Sequence, residues 1–367
     1  MRFIFTCGGT AGHIYPALAV ATKLREILPS SDILFIGATD MMEMNIVPDY
    51  GFDIINVDIS NLSRDISIKG FAHNLKTLKN VLVSIGQSKR IIKSFEPDCV
   101  IGTGGYVCYP VLKAANRLGI PTVIHESNAY PGLTTRLLDS VVDVILTGGS
   151  CVYYKDNPKA FQVGTPVRSE FLSLDKTQAK SLLNINKPMV LSVMGSLGAE
   201  HMNNVISDMI LQMGNNPDFH LIHVTGNKYY DNFTPKNSAD VEVYPYITDI
   251  AKYMIASDLV ICRAGASTIS ELTYIGKPCI LVPSPNVTEN HQEKNARVLE
   301  KNGAARVLLE SDFNSNTLLE LIKEILNDSE LQKNMAESSK SFSNDSACDD
   351  IVSHILSLIK DRGINGR

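Results

Sequence analysis

Short apolar runs alternate along the chain with longer segments whose apolar residues recur every three to four positions. In the first half the runs are Phe3–Thr6, Ile33–Ile36, Cys99–Gly102, Thr122–His125 and Val144–Thr147. In the second half they are Met189–Val193, His220–Val224, Val241–Val243, Leu259–Cys262 and Cys279–Val282. Each is read as a strand. Between the first two, Ala17, Val20, Ala21, Leu24 and Leu28 share one helical face, which predicts a helix over Ile14 to Leu28 lying on a sheet. Strand and helix in steady alternation predict βαβ units and parallel sheets.

The pattern starts twice. A strand, a glycine turn and a helix opening occur near Phe3 and again near Met189. This predicts an α/β chain of two Rossmann-like parallel-sheet domains, not one long sheet. Gly164 and Pro166 break the pattern, so the expected domains are 1–162 and 163–342. The tail, 343–367, carries Ile351, Ile355, Leu356 and Leu358 and is expected to form a helix packing back on the first domain. Two such domains facing each other would leave a cleft at the carboxyl ends of their strands, where ligands of open α/β sheets bind.

Composition narrows the function classes only modestly. At 367 residues, with 44% hydrophobic and 20% charged positions, the chain is long enough for two cores and ordinary for a globular protein. A net charge of −5 with no basic block gives no footprint for nucleic acid. The seven cysteines are scattered, with no C-x-x-C and no H-E-x-x-H, so neither a disulfide framework nor a metal site is expected, and a reducing cytoplasm is. The first residues read as a strand and not a signal peptide, and no apolar run reaches the roughly 18 to 20 residues of a membrane span.

The chemistry sits in the turns. Gly8-Gly9-Thr10-Ala11-Gly12 follows the first strand and opens a helix, where glycine backbone and unpaired N–H groups suit a phosphate; a plain tight turn is the competing reading. His13 begins that helix. The helix end disfavours imidazolium, so the ring can accept a proton as a general base, although a lone histidine there also serves as a packing residue. Gly102-Thr103-Gly104-Gly105-Tyr106 and His125-Glu126-Ser127-Asn128 end two further strands. Gly195-Ser196-Leu197-Gly198 is no nucleophile elbow, and Ser196 is expected to donate to a phosphate. In Cys262 to Glu271, a small-residue turn opens a helix that carries Glu271 near its start. There it can accept from ribose hydroxyls or simply balance the helix dipole. The chain contains no D-x-D, so helix ends and Arg168 are expected to neutralise phosphate without a bridging metal.

GGTAGHIYPALAVA, GTGGYVCYP, HESN, GTPVR, GSLGA, CRAGASTISE and HQEKNA occur in one order across nearly the whole chain. Together they resemble the MurG family of bacterial peptidoglycan N-acetylglucosaminyltransferases. The resemblance implies a GT-B fold, with two Rossmann-like domains facing across a cleft. It implies transfer of GlcNAc from UDP-GlcNAc to the C4 hydroxyl of the MurNAc unit of lipid I, with inversion, giving lipid II, and it implies no cofactor. It further implies that Thr10, Ala11 and Gly12 line the donor region, that Asn128 contacts GlcNAc, and that Arg168 and Ser196 meet the diphosphate. Ile247 would touch uracil through its backbone. Ala266, Ser267, Thr268, Ile269, Ser270 and Glu271 would hold phosphate and ribose, and Gln292 the sugar. His13 would act at the acceptor hydroxyl, with Tyr106, Glu126, Gly104, Gly105 and Asn204 as further candidates for catalysis or acceptor binding. Ala11 stands where the family usually has glycine, and its methyl requires a backbone with negative φ.

A lipid-linked acceptor must be met at the inner face of the cytoplasmic membrane. Phe71, Leu75, Leu78 and Leu82 share a helical face near Lys69, Lys76 and Lys79, as interfacial binding to anionic lipid requires; a helix packed on the sheet with solvated lysines reads the same way. Other cell-wall synthesis proteins are conceivable partners. The alternatives kept open are a GT-B transferase for another lipid acceptor such as diacylglycerol, a UDP-GlcNAc 2-epimerase, and a non-catalytic scaffold.

Overall fold

A computed structural model describes residues 1–59, 68–149, 151–172, 174–195, 198–214, 217–235, 237–287 and 290–363; side chains 68–79 and 172 fall outside that description. The chain divides into two compact units, Met1–Arg168 with Asn344–Arg367, and Ser169–Ser343.

The first unit holds a seven-stranded sheet of β1 (Arg2–Thr6), β2 (Asp32–Ala38), β3 (Asp53–Val57), β4 (Cys99–Gly102), β5 (Thr122–Glu126), β6 (Val144–Thr147) and β7 (Ala160–Gln162). Every pairing is parallel, in the order β3-β2-β1-β4-β5-β6-β7. Its helices are α1 (Ala11–Ile27), α2 (Glu43–Asp49), α3 (Ile68–Phe95), α4 (Cys108–Arg117) and α5 (Leu133–Leu138). The central strands are buried on both faces, so they read as continuous apolar runs. Residues Ile14, Ala17, Leu18, Val20, Ala21 and Leu24 of α1 are all buried.

The second unit repeats the plan with β8 (Met189–Val193), β9 (His220–Val224), β10 (Val241–Tyr244), β11 (Leu259–Cys262), β12 (Cys279–Leu281) and β13 (Arg306–Val307), in the order β10-β9-β8-β11-β12-β13. Its helices are α6 (Lys176–Leu183), α7 (Glu200–Met213), α8 (Ile250–Ala256), α9 (Ala266–Tyr274), α10 (His291–Lys301), α11 (Ser315–Asn327) and α12 (Ser329–Lys340). In both sheets the strand order reverses beside the first strand, between β1 and β4 and between β8 and β11. Ligands of doubly wound sheets bind at such a switch point. The turns after β1, β4, β8 and β11 are the glycine and small-residue turns singled out in the sequence.

The last helix, α13 (Ala347–Asp361), belongs to the first unit. Its Ile351, Val352, Ile355 and Ile359 enter the core that contains Leu18 and Leu24 of α1, and Lys23 pairs with Asp349 at 2.9 Å. The segment after β7 is tied to the start of this tail, because Asn344 Nδ2 donates to the carbonyl of Val163 at 2.7 Å.

Strands β3, β7 and β13 were absent from the sequence expectation. All three lie at sheet edges or next to one, and they are short or half exposed, so no continuous apolar run marks them. The basic amphipathic stretch lies within α3. Of its residues, Lys69, Phe71, Leu75, Lys76, Leu78 and Lys79 have side chains outside the described set, whereas Leu82 is exposed. Among the described residues no helix is long and apolar enough to cross a membrane.

Gly164 has φ +83°, and a Cβ there would come within 2.7 Å of Asn344 Cβ and 3.1 Å of Ala347 Cβ. Strain and overpacking should together make Gly164→Ala destabilise the first unit by about 2–4 kcal/mol, read as an earlier denaturant midpoint.

Candidate active site

In the first unit the turns after β1 and β4 interlock. Gly104 and Gly105 have φ of +114° and +88°. A Cβ on Gly104 would sit 2.3 Å from His13 Nδ1, and one on Gly105 would sit 2.2 Å from the carbonyl oxygen of Gly8. Both glycines, read from the sequence as acceptor candidates, therefore let one turn lie directly against the other. Thr103 Oγ1 donates to the carbonyl of His13 at 2.6 Å, so the first turn of α1 is held from beneath. His13 is the third residue of α1, half-buried, with its ring against Gly104. Tyr106 packs beside Gly9, and its hydroxyl is buried with no hydrogen-bond partner among the described residues. Burial, and then the nearby Glu43 carboxylate, push its phenol pKa up. Ala11 is helical, which meets the negative-φ requirement of its methyl.

Glu126, at the end of β5, is 5% exposed and accepts four hydrogen bonds. Asn128 donates to Oε1 from its backbone at 3.0 Å and from Nδ2 at 2.9 Å. Gly132 N and Thr135 Oγ1 donate to Oε2 at 2.9 and 2.7 Å. A carboxylate so occupied shapes the loop that carries Asn128 and is poorly disposed to remove a proton. Its neighbour His125 is fully buried and donates from Nε2 to the carbonyl of Gly164 at 2.9 Å; burial lowers its pKa. The guanidinium of Arg168, the last residue of the segment, lies 4.5 Å over the ring of Tyr15.

In the second unit Ser196 lies outside the described residues, but both flanking glycines are in view. Gly195 has φ +86° and Gly198 +70°, and a Cβ on Gly198 would collide with the Thr225 carbonyl at 2.0 Å. Of the adjacent asparagines on α7, Asn204 is exposed, whereas the sequence reading passed over its buried neighbour Asn203. Asn203 Nδ2 donates to the carbonyl of Thr225 at 3.0 Å, which leaves Oδ1 to accept from His223 Nε2 at 3.1 Å. His223 Nδ1 then faces Ser192 Oγ at 3.1 Å. This chain joins β8, β9 and α7 directly under the glycine turn. Burial holds the His223 pKa down at about 3.

Beyond β11, residues Ala266 to Glu271 form the first two turns of α9. Ala266, Ser267, Thr268 and Ser270 are half-buried, and Ile269 and Glu271 are buried. Gln292, at the second position of α10, accepts from Ser284 N at 2.8 Å, fixing the loop after β12. Ile247 is buried in the connection from β10 to α8. Among the described residues no group of three or more His, Cys, Asp or Glu side chains is placed to hold a metal ion.

At the switch points α1, α7 and α9 are preceded by Thr10, Ala199 and Gly265, and none is closed by a side-chain cap. Among the other helices α6, α11 and α12 are capped by the side chains of Asp175, Asn314 and Asp328, whereas α2, α4, α5, α8, α10 and α13 also lack a side-chain cap. A helix N-terminus has donors without intrahelical partners, and uncapped ends present them, with a partial positive charge, to an anionic ligand.

Residues 3–147 match the glycosyltransferase family 28 N-terminal domain, and residues 189–351 match its C-terminal domain. The UDP-N-acetylglucosamine–N-acetylmuramyl-(pentapeptide) pyrophosphoryl-undecaprenol N-acetylglucosamine transferase of Acetivibrio thermocellus is 40% identical, covering 99% of both chains. The enzyme of the same name from Finegoldia magna is 38% identical, covering 98% of this chain and 99% of its own. The crystal structure of MurG from Acinetobacter baumannii superposes with a TM-score of 0.74 at 27% identity, over 97% of this chain and 99% of that one. A putative UDP-N-acetylglucosamine 2-epimerase from Listeria monocytogenes has a TM-score of 0.73 at 13% identity, over 98% of this chain and 97% of that one, a likeness of fold alone.

His223 carries a pH consequence. From its ordinary pKa of 6.5 down to its native value of about 3, the unfolded chain binds a proton that the native chain does not. Its contribution to stability is therefore complete above about pH 6.5 and declines below it, by up to about 1.4 kcal/mol per pH unit. The His223 ring signals in NMR should stay those of the neutral imidazole down to about pH 4, and a midpoint near the ordinary histidine value would contradict the buried relay.

Proposed function

The chain belongs to the family of UDP-N-acetylglucosamine–N-acetylmuramyl-(pentapeptide) pyrophosphoryl-undecaprenol N-acetylglucosamine transferases, and we propose how its residues carry out that transfer. It is a glycosyltransferase of the GT-B fold that moves GlcNAc from UDP-GlcNAc to lipid I, forming lipid II. The observation that supports the site assignment is the opening of α1, α7 and α9 at the two switch points, where ligands of doubly wound sheets bind.

In this reading the second unit takes the nucleotide. The amino ends of α7 and α9, with Ser196, receive the diphosphate. Glu271 accepts from the ribose hydroxyls, the backbone of Ile247 meets uracil, and Ala266 to Ser270 line the phosphate. The carbonyl of Gln292 is held by Ser284 N, which directs its amide donor toward the sugar. Thr10, Ala11, Gly12 and Asn128 of the first unit contact the donor sugar, and Arg168 adds a positive charge for the diphosphate.

His13 removes the proton from the C4 hydroxyl of MurNAc as that oxygen attacks the anomeric carbon opposite UDP, so the configuration inverts. Among the catalytic candidates His13 is favoured over Glu126, whose oxygens are filled by four donors. Charge developing on the departing diphosphate is met by fixed helix ends, which need no reorganisation. The membrane part of the reading is a peripheral position on the cytoplasmic face, with α3 supplying basic and apolar contacts to lipid.

The test is transfer from 14C-labelled UDP-GlcNAc, with and without a short-chain lipid I analogue, in EDTA. Label should move only when the analogue is present. Free labelled ManNAc in its absence would replace the transferase reading with the epimerase. His13→Ala should lower kcat by about 100- to 10,000-fold while leaving the Kd for UDP unchanged. Arg168→Ala should lose turnover with its melting transition intact, and full turnover would remove Arg168 from the site.

A further inference from the structure

A carboxylate with no exposed surface lies beneath the first glycine turn. Glu43, the first residue of α2, is 0% exposed. Its Oε2 accepts from Gly9 N at 3.2 Å and its Oε1 from Ala38 N at 3.0 Å. The surrounding chain makes room for it. A Cβ on Gly8 would be 2.3 Å from Oε1, and one on Gly37 would be 2.7 Å from Glu43 Cγ.

Burying a carboxylate is costly, and an apolar side chain of similar volume would fill the space at less expense. What an apolar residue cannot do is join two backbone donors. Gly9 follows β1 and Ala38 ends β2, adjacent strands of the same sheet, so Glu43 ties their carboxyl ends together. Gly9 has φ +83°, a conformation that leaves its peptide many alternatives when untethered. The bond to Glu43 fixes the direction of that N–H, turning it inward and away from any ligand. The chain then enters α1 two residues later, and His13 follows two residues after that.

We propose that Glu43 is a positioning residue for the glycosyl transfer: through Gly9 it sets the entry angle of α1 and so the place of His13. Its kinetic arm rests on the transferase reading; its spectroscopic arm does not.

Glu43→Gln keeps the shape and one acceptor but sets an amide NH2 against a backbone N–H. Val47→Ala, in the buried face of the same helix, loosens α2 without touching either donor. In the lipid I analogue assay Glu43→Gln should lower kcat by about 10- to 100-fold with the UDP-GlcNAc Kd unchanged, and Val47→Ala should keep kcat per folded molecule. In 1H–15N spectra the His13 ring signals should move in Glu43→Gln and stay in Val47→Ala. Equal loss of kcat in the two variants, or unmoved His13 signals in Glu43→Gln, overturns the proposal. Absence of transfer by the unaltered protein would count against the transferase reading and leave the spectroscopic result to decide the role of Glu43.

Discussion

The arrangement at the carboxyl edge of the first sheet depends on one close approach: the turn after β4 lies directly against the turn after β1. Two glycines with positive φ permit it, since a Cβ at either would overlap His13 or the Gly8 carbonyl. The surroundings of His13 are built on that contact. The histidine ring rests on backbone, its carbonyl is gripped by Thr103, and its helix starts where the contact leaves it. Gly104 and Gly105, read from the sequence as acceptor candidates, thus serve the packing of one turn on the other.

The helices of this chain begin differently. A capping side chain closes a helix end by satisfying a donor that water or a ligand would otherwise take. Asp175, Asn314 and Asp328 do this for α6, α11 and α12. Thr10 has a side chain able to cap yet makes no such bond. Ala199 and Gly265 have none to offer. An end left open costs its helix some stability, on the order of 1 kcal/mol, and keeps its N–H donors and partial positive charge available to an anion.

Much of the fold was legible because buried parallel strands advertise themselves as apolar runs. Cys99–Gly102, Val144–Thr147, Met189–Val193, His220–Val224 and Leu259–Cys262 have the same bounds in the sequence reading and in the structure. Three edge strands, β3, β7 and β13, were not, because they are short or half exposed and lack that signature; Asp53–Val57 has only Val57 fully buried. The turns of the site were legible from glycine spacing, and the roles placed on them came from a family resemblance that the comparisons bear out at the level of family. Glu43 and Asn203 were invisible for a different reason. Glu43 stands in a short, methionine-rich polar stretch and looks like a surface residue until the sheet order brings β1 and β2 together. Asn203 and Asn204 are indistinguishable in sequence, and the 100° between successive helical positions alone sends one inward and the other to solvent.

The two units solve one mechanical problem with different chemistry. In each, a glycine turn must be held rigidly at a switch point, though glycine itself resists being held. The first unit uses a buried carboxylate that collects N–H donors from two strand ends. The second uses a neutral chain of Ser192, His223 and Asn203 that ends on the Thr225 carbonyl, against which Gly198 is packed. The choice follows from polarity. Where the atom to be held is an N–H, an acceptor with two oxygens suffices. Where it is a carbonyl, a donor is needed, and the bond from the histidine to Asn203 Oδ1 fixes the amide so that its NH2 faces that carbonyl. A fully paired buried network of either kind tolerates little displacement, because breaking any link strands a polar group away from water. Such rigidity is what a displacement reaction requires, since the acceptor oxygen, anomeric carbon and departing phosphate must be aligned before the proton moves.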